Sequence, residues 1–196
     1  MIYIVRHGQT AWNLQGRKQG RKDSPLTLKG VEQAKEVSKI LNDSIKDYTK
    51  FKIVVSPQWR CQQFASIICE LAGIDFSACI FEENLREHCF GLWEGKTEEE
   101  IEEEFPGFLA KRYIPENYWS YVVPMGESYE LLYSRIKKVL DKYEGQKVVY
   151  ICHEMVSKVI RGKTLNLSPE QILPLRHPQD CVYKVENNTL TELRSV

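Results

Sequence analysis

Short apolar runs alternate with longer periodic stretches along this chain. "IYIV" (2–5), "FKIVV" (51–55) and "KVVYI" (147–151) are brief and rich in β-branched or aromatic residues, the pattern of buried strands. Between and after them the apolar positions adopt a helical period. Ala34, Val37, Leu41 and Ile45 form one stripe, Phe64, Ile67, Ile68 and Leu71 a second, and Leu132, Ile136, Val139, Leu140 and Tyr143 a third. Strand, helix, strand, helix predicts an α/β fold with parallel strands in a layered sheet. "ACIF" (78–81) reads as a further strand, and "CVYKV" with "TLTEL" as a closing hairpin around Asn187 and Asn188. The glutamates of "EGKTEEEIEEEF" (94–105) predict the solvated face of a short helix.

Length and charge narrow the classes of function. A chain of 196 residues suits one well-packed domain, 1–196. Its 27 basic and 27 acidic side chains cancel, so no global field recruits nucleic acid or an anionic membrane, and neither partner is expected. The opening apolar run, interrupted at Arg6, leaves no room for a signal peptide, and no later run reaches membrane-spanning length; a cytoplasmic location is expected. The six cysteines lack zinc-type spacing and read as reduced, partly buried residues.

Chemistry concentrates just past the strands. Ligands of an open parallel sheet bind at the carboxyl ends of its strands. There the sequence puts Arg6-His7-Gly8, then Ser56-Pro57-Gln58-Trp59-Arg60, then Cys152-His153-Glu154. Two arginines and two histidines gathered at one edge would repel unless an anion sat among them, and a phosphoryl group meets that need. Ser56 and Pro57 suit the N-cap and first position of a helix, which places Arg60 in its first turn, reaching back over the edge. Gly8 is expected to let the backbone turn after His7, and Asn13 to add a neutral donor. The leaving oxygen needs a proton. Among Glu82, Glu83, Glu87 and Glu94, Glu87 is favoured because it follows "ACIF" in a loop with Phe90 and Trp93, where apolar surroundings raise a carboxyl pKa.

Together these segments resemble the histidine phosphatase superfamily, the phosphoglycerate-mutase-like group. "RHGQTAWNLQGRKQGRKDSPLTLKG" (6–30) is similar to its first motif throughout, "SPQWRCQQFA" (56–65) to its second and "LREHCFGLWEG" (85–95) to its acid-bearing loop. "PMGESY" (124–129) resembles its G-E-S turn and "YICHE" (150–154) its late histidine. The resemblance implies a three-layer α/β/α sandwich with a mostly parallel central sheet. It also implies a phosphorylated His7, proton donation by Glu87, and phosphoryl binding by Arg6, Arg60 and His153 with help from Asn13. Gln19 and Gly20 match a segment that borders the substrate. The chain departs from the pattern at Glu154, where glycine is usual, and at Cys61 and Phe64, where alanine and threonine are commoner. Glu154 would repel a phosphate if it pointed inward, or would point outward from a helix N-terminus. The cysteine and phenylalanine are read as packing changes.

The expected activity is hydrolysis of a small phosphomonoester through a phosphohistidine, with no metal or other cofactor. Phosphotransfer of the mutase type is the alternative within the family, disfavoured because 104–126 is compact and the chain ends soon after the hairpin. A phosphate-binding module without turnover is a third reading, favoured by Glu154 alone. Cysteine phosphatase chemistry at His88-Cys89 would want an arginine where Gly95 stands, and the four histidines offer no paired-ligand helix for a metal; His88 and His177 read as structural or surface residues. The 14–24 loop, the 88–95 loop and the 104–126 segment, with Lys111, Arg112, Tyr113, Tyr118, Trp119 and Tyr121, are expected to line the leaving-group side.

Overall fold

The computed structural model describes residues 1–114 and 116–195; Pro115, within the 104–126 segment, and Val196 lie outside the described residues. Six strands form one sheet: β1 (Ile2–Arg6), β2 (Lys52–Val55), β3 (Ile80–Phe81), β4 (Val148–Cys152), β5 (Cys181–Glu186) and β6 (Thr189–Arg194), in the order β3-β2-β4-β1-β5-β6. The first four in that order run parallel, β5 is antiparallel to β1, and β6 is antiparallel to β5. Asn187 and Asn188 both take positive φ, 51° and 59°, which turns the β5–β6 hairpin as the sequence predicts.

Alternation along the strands separates two cores. Tyr3, Val5, Ile53, Val55, Val149 and Ile151 face α2 (Leu28–Ser44) and α3 (Trp59–Ala72), meeting Val37, Leu41, Phe64 and Ile68. Ile4, Val54, Val148 and Tyr150 face α6 (Tyr129–Lys142) and α7 (Glu154–Thr164), meeting Leu132, Ile136, Val156 and Ile160. Helix, sheet, helix is therefore the layer order. The remaining helices are short: α1 (Ala11–Leu14), α4 (Glu98–Glu104), α5 (Phe108–Arg112) and α8 (Pro169–Ile172). No described helix is long and apolar enough to cross a membrane.

Register delivers the candidate residues to one edge. Val55 and Val5 both lie opposite Ile151, and Arg6 opposite Cys152. The next amides continue the ladder: His7 N–H donates to the Cys152 carbonyl at 3.0 Å and Ser56 N–H to the Ile151 carbonyl at 2.9 Å. "RH", "SPQWR" and "HE" thus leave the sheet side by side.

Several local expectations change. "ACIF" shortens to a two-residue strand, because Asp75 caps a 3-10 turn over Phe76–Ala78 and takes Ala78 out of the extended backbone. The cap of α3 is Gln58, two residues beyond Ser56, and its side chain makes no capping bond. The Asp23 carboxylate does that work from another loop, accepting from Trp59 N–H at 3.0 Å and Arg60 N–H at 3.4 Å. The glutamates of α4 do more than face water: Glu98 pairs with Lys18 at 2.6 Å, Glu100 with Arg17 at 2.5 Å and Glu104 with Lys96 at 2.5 Å. The first two of these pairs pin the 16–20 loop.

Gly8 does not owe its place to a left-handed turn, since its φ is not positive. A Cβ there would lie 2.5 Å from the Gly30 carbonyl oxygen and 2.9 Å from its Cα, so α2 packs directly on the backbone that follows His7. We predict that Gly8→Ala destabilises the fold by about 1–3 kcal/mol, read as a lower urea midpoint at unchanged slope. An unmoved midpoint would mean that α2 sits more loosely there.

Candidate active site

The residues following β1, β2 and β4 enclose a cavity of about 240 Å³ whose wall includes Arg6, His7, Asn13, Arg60, Glu87 and Glu154. His7 is 3 % exposed. Its Nδ1 lies 2.8 Å from the Gly8 carbonyl oxygen, an acceptor only, so Nδ1 carries the proton and Nε2 the lone pair. Arg60 Nε donates to that Nε2 at 3.2 Å, which fits the same tautomer. Burial, then the charges of Arg60 and Arg6, hold the His7 pKa well below the ordinary 6.5. The ring is a neutral base with its free nitrogen turned to a guanidinium.

Arg60 is 1 % exposed and tied from behind. Its NH1 donates to the Lys22 carbonyl at 2.7 Å and the Asp23 carboxylate at 2.6 Å, and its NH2 to the Gly20 carbonyl at 2.8 Å. Gln58 reinforces this anchor, donating to Gly20 while its Oε1 accepts from Glu87 N–H at 2.6 Å. Gly20 takes a positive φ of 56°, which favours glycine, and a Cβ there would displace the Glu94 carboxylate. Arg6 is held by the His177 carbonyl at 2.7 Å, and its buried Nε has no partner within the protein. That orphaned donor suits a phosphoryl oxygen.

His153 is wholly buried behind His7, 5.2 Å away between ring centroids, and is not itself among the residues lining the cavity. Its Nε2 lies 2.7 Å from Ser56 Oγ, which orients the ring; Ser56 serves here instead of at the helix start. Burial and the Arg60 charge keep this histidine neutral as well. Glu87 is 8 % exposed, and burial raises its carboxyl above the ordinary 4.5 against the opposing pull of the His88 N–H and Arg60. Of the four carboxyls weighed from the sequence, only Glu87 lies on the cavity wall. Glu82 pairs with Lys142 and Glu83 with Arg86, while Glu94 accepts from the Arg21 and Phe90 amides.

The remaining expectations divide. Asn13 lies on the wall with its amide oxygen engaged by Thr10 N–H and Gln179, which leaves the NH2 for a ligand. Gln19 and Gly20 also line it, although Gln19 Oε1 accepts from Ser24 and the Gly20 carbonyl serves Arg60. Glu154 does not point away: it lies on the wall with Oε2 2.9 Å from Arg6 NH1. None of the described residues of 104–126 reaches the cavity. Arg112 is instead buried among the rings of Phe90, Trp93, Tyr118 and Tyr129, while Trp119 and Tyr121 stack on Tyr129 and Trp93 and Tyr113 meets Tyr118 edge-on. Lys111 lies over Phe108. His88 is packed between Phe90 and Tyr129, and His177 meets Ser157 Oγ at 2.5 Å; both are internal, neither at the surface.

Sequence reasoning missed Asp23, Gln58 and Ser56 as the groups that aim Arg60, Glu87 and His153. Asp23 was visible within the 6–30 motif, but its spacing says nothing of a helix start 36 residues away.

This chain belongs to the histidine phosphatase superfamily, branch 1, whose profile matches residues 2–190. It is 33 % identical over 186 residues to human 6-phosphofructo-2-kinase/fructose-2,6-bisphosphatase 4, covering 94 % of this chain but 37 % of that protein, so it spans little more than a third of that relative. It is 32 % identical over 156 residues to a probable phosphoglycerate mutase, GpmB, of Escherichia coli, covering 78 % of this chain and 68 % of the relative. Among solved structures it is similar to the α-ribazole phosphatase of Shigella flexneri, with a TM-score of 0.80, 23 % identity and 99 % and 96 % of the two chains aligned. A mycobacterial glucosyl-3-phosphoglycerate phosphatase, solved with VO3, aligns with a TM-score of 0.77 and 24 % identity over 98 % and 96 %.

All four histidines are buried with pKa values pushed well below 6.5, chiefly by desolvation. The unfolded chain therefore binds protons that the folded chain refuses, and stability is lost as pH falls through the ordinary histidine value. Glu87, with a raised pKa, works in the opposite sense as one group against four. We expect the urea midpoint to fall between about pH 7.5 and about pH 5.5; a midpoint that rises over this interval would contradict neutral burial of these rings.

Proposed function

We propose that this chain hydrolyses small phosphomonoesters through a phosphohistidine on His7, without a metal or other cofactor. The observation that carries the reading is the alignment of a neutral, buried His7, its Nε2 facing Arg60, with a protonatable Glu87 on the same cavity wall. His7 Nε2 attacks phosphorus, the bond from phosphorus to the ester oxygen breaks, and Glu87 gives its proton to the departing alcohol. Water then cleaves the P–N bond, with ionised Glu87 taking its proton. Charge on the three equatorial oxygens is met by Arg6, Arg60 and His153, with Asn13 as a neutral donor, so positioning and cationic stabilisation supply most of the rate. His153, neutral in the free site, acts as a hydrogen-bond donor or takes up a proton with the incoming dianion.

The names of the relatives include phosphatases and a mutase, and both chemistries share the phosphohistidine. They differ in the acceptor, which is water in one and a second substrate hydroxyl in the other. Comparing phosphate release from simple esters with transfer between phosphoglycerates distinguishes them, and we favour release.

His7→Ala is expected to abolish both turnover of p-nitrophenyl phosphate and any acid-labile phosphate label; undiminished hydrolysis would exclude this mechanism. Glu87→Gln should lower kcat/KM for alkyl phosphates by about 10²–10⁴-fold while sparing kcat/KM for aryl phosphates, whose leaving groups need no proton in the first step. Equal losses on both would remove Glu87 from the acid role. The free enzyme must hold His7 neutral and Glu87 protonated, and the first condition is met well below 6.5 while the second fails above the raised carboxyl value. The kcat/KM profile should therefore fall as pH rises through the raised Glu87 value, an alkaline limb that is absent in Glu87→Gln.

A further inference from the structure

Every cation on the cavity wall already faces a carboxylate of the protein. Arg17 pairs with Glu100, Lys18 with Glu98, Arg60 with Asp23 and Arg6 with Glu154. Of those four carboxylates only Glu154 is itself on the wall. It occupies the first turn of α7, where a negative charge is favoured, and Lys158 at 4.0 Å and Arg176 at 3.7 Å help to hold it. Neither of those two cations lines the cavity. The Lys158 amine is buried and donates to the Leu173 carbonyl at 3.0 Å, and Arg176 is 75 % exposed, where its attraction is screened.

Glu154 also lies on the side where the alcohol leaves. Its chain neighbour Met155 donates its backbone N–H to Glu87 Oε2 at 3.4 Å, and the Glu154 charge is felt at the Glu87 carboxyl. A leaving group departing past Glu87 therefore passes a fixed, acceptor-only carboxylate, while Arg17 and Lys18, the wall cations outside the cradle, are engaged.

We propose that Glu154 is a specificity-determining residue. It selects phosphomonoesters of neutral, hydroxyl-bearing alcohols and turns away leaving groups with a second negative charge near the ester. This rests on the phosphatase reading above. A hydroxyl donates to the Glu154 carboxylate, whereas a leaving-group carboxylate or second phosphate meets like charge there and must compete with Glu100 and Glu98 for Arg17 and Lys18.

Two esters with the same three-carbon skeleton and the same arrangement at C2 isolate the charge: sn-glycerol 1-phosphate ends in a hydroxymethyl group where 3-phospho-D-glycerate ends in a carboxylate. The wild type is expected to show the higher kcat/KM on glycerol phosphate. Glu154→Gln and Glu154→Gly should each shift the ratio of the two kcat/KM values by about tenfold or more toward phosphoglycerate. Both esters use the same phosphoryl cradle, so a general loss from a displaced Arg6 cancels in the ratio. A wild type that prefers phosphoglycerate overturns the proposal, and this measurement needs no variant. So does an unchanged ratio in both variants while p-nitrophenyl phosphate is still hydrolysed. A wild type inert toward all three esters overturns the phosphatase reading itself.

Discussion

The guanidinium of Arg60 is the fixed point around which the site is assembled. A buried cation is tolerated only when its donors are met, and three of them are met from behind by the Gly20 and Lys22 carbonyls and the Asp23 carboxylate. Of the other two donors, the Nε–H points to His7. The 20–23 loop, the start of α3 and the end of β1 are thereby held in one arrangement before any substrate arrives. Asp23 binds the arginine side chain and also receives the first amides of its helix, so the cap of α3 and the aim of Arg60 are one interaction. Such preorganisation is what lets a cation act on developing charge without reorganising.

Burial then decides protonation. His7 and His153 lie side by side, without solvent and next to arginines, so both give up their protons. Glu87 loses solvent as well, and for a carboxyl the same cause acts in the opposite direction. One enclosed site thus favours the free form of its histidines and shifts its carboxyl toward the protonated form. Glu154 belongs to the same network from its exposed side, since it shares Arg6 with the His177 carbonyl and stands one residue from the amide that touches Glu87.

Much of this was legible in the residues. Strands β1, β2 and β4 came from short β-branched runs, α2, α3 and α6 from their stripes, and the hairpin from paired asparagines, because local steric preference and period act over a few residues. Arg6, His7, Arg60, Glu87 and His153 could be named from their position past the strands and from a resemblance spanning the chain. The start of α3 could not. Ser56 and Pro57 satisfy every local rule for a cap, yet Ser56 serves His153 and the cap arrives from Asp23. Gly8 likewise owes its place to the close approach of Gly30, which no φ preference announces.

The side chains of 104–126 show the same limit. Basic and aromatic residues in one segment read equally well as a substrate surface and as packing, and only the surrounding rings of Phe90, Trp93 and Tyr129 draw Arg112 inward. By itself the sequence determined most of the sheet and three of its covering helices, which end of the sheet carries the chemistry and which residue types it holds, since these follow from pattern and strand direction. Only the tertiary structure decided which carboxylate meets which cation. Asp23 on Arg60, Glu154 on Arg6 and the glutamates of α4 on Arg17 and Lys18 are charges that act through space, over a few ångströms, between residues the chain keeps apart.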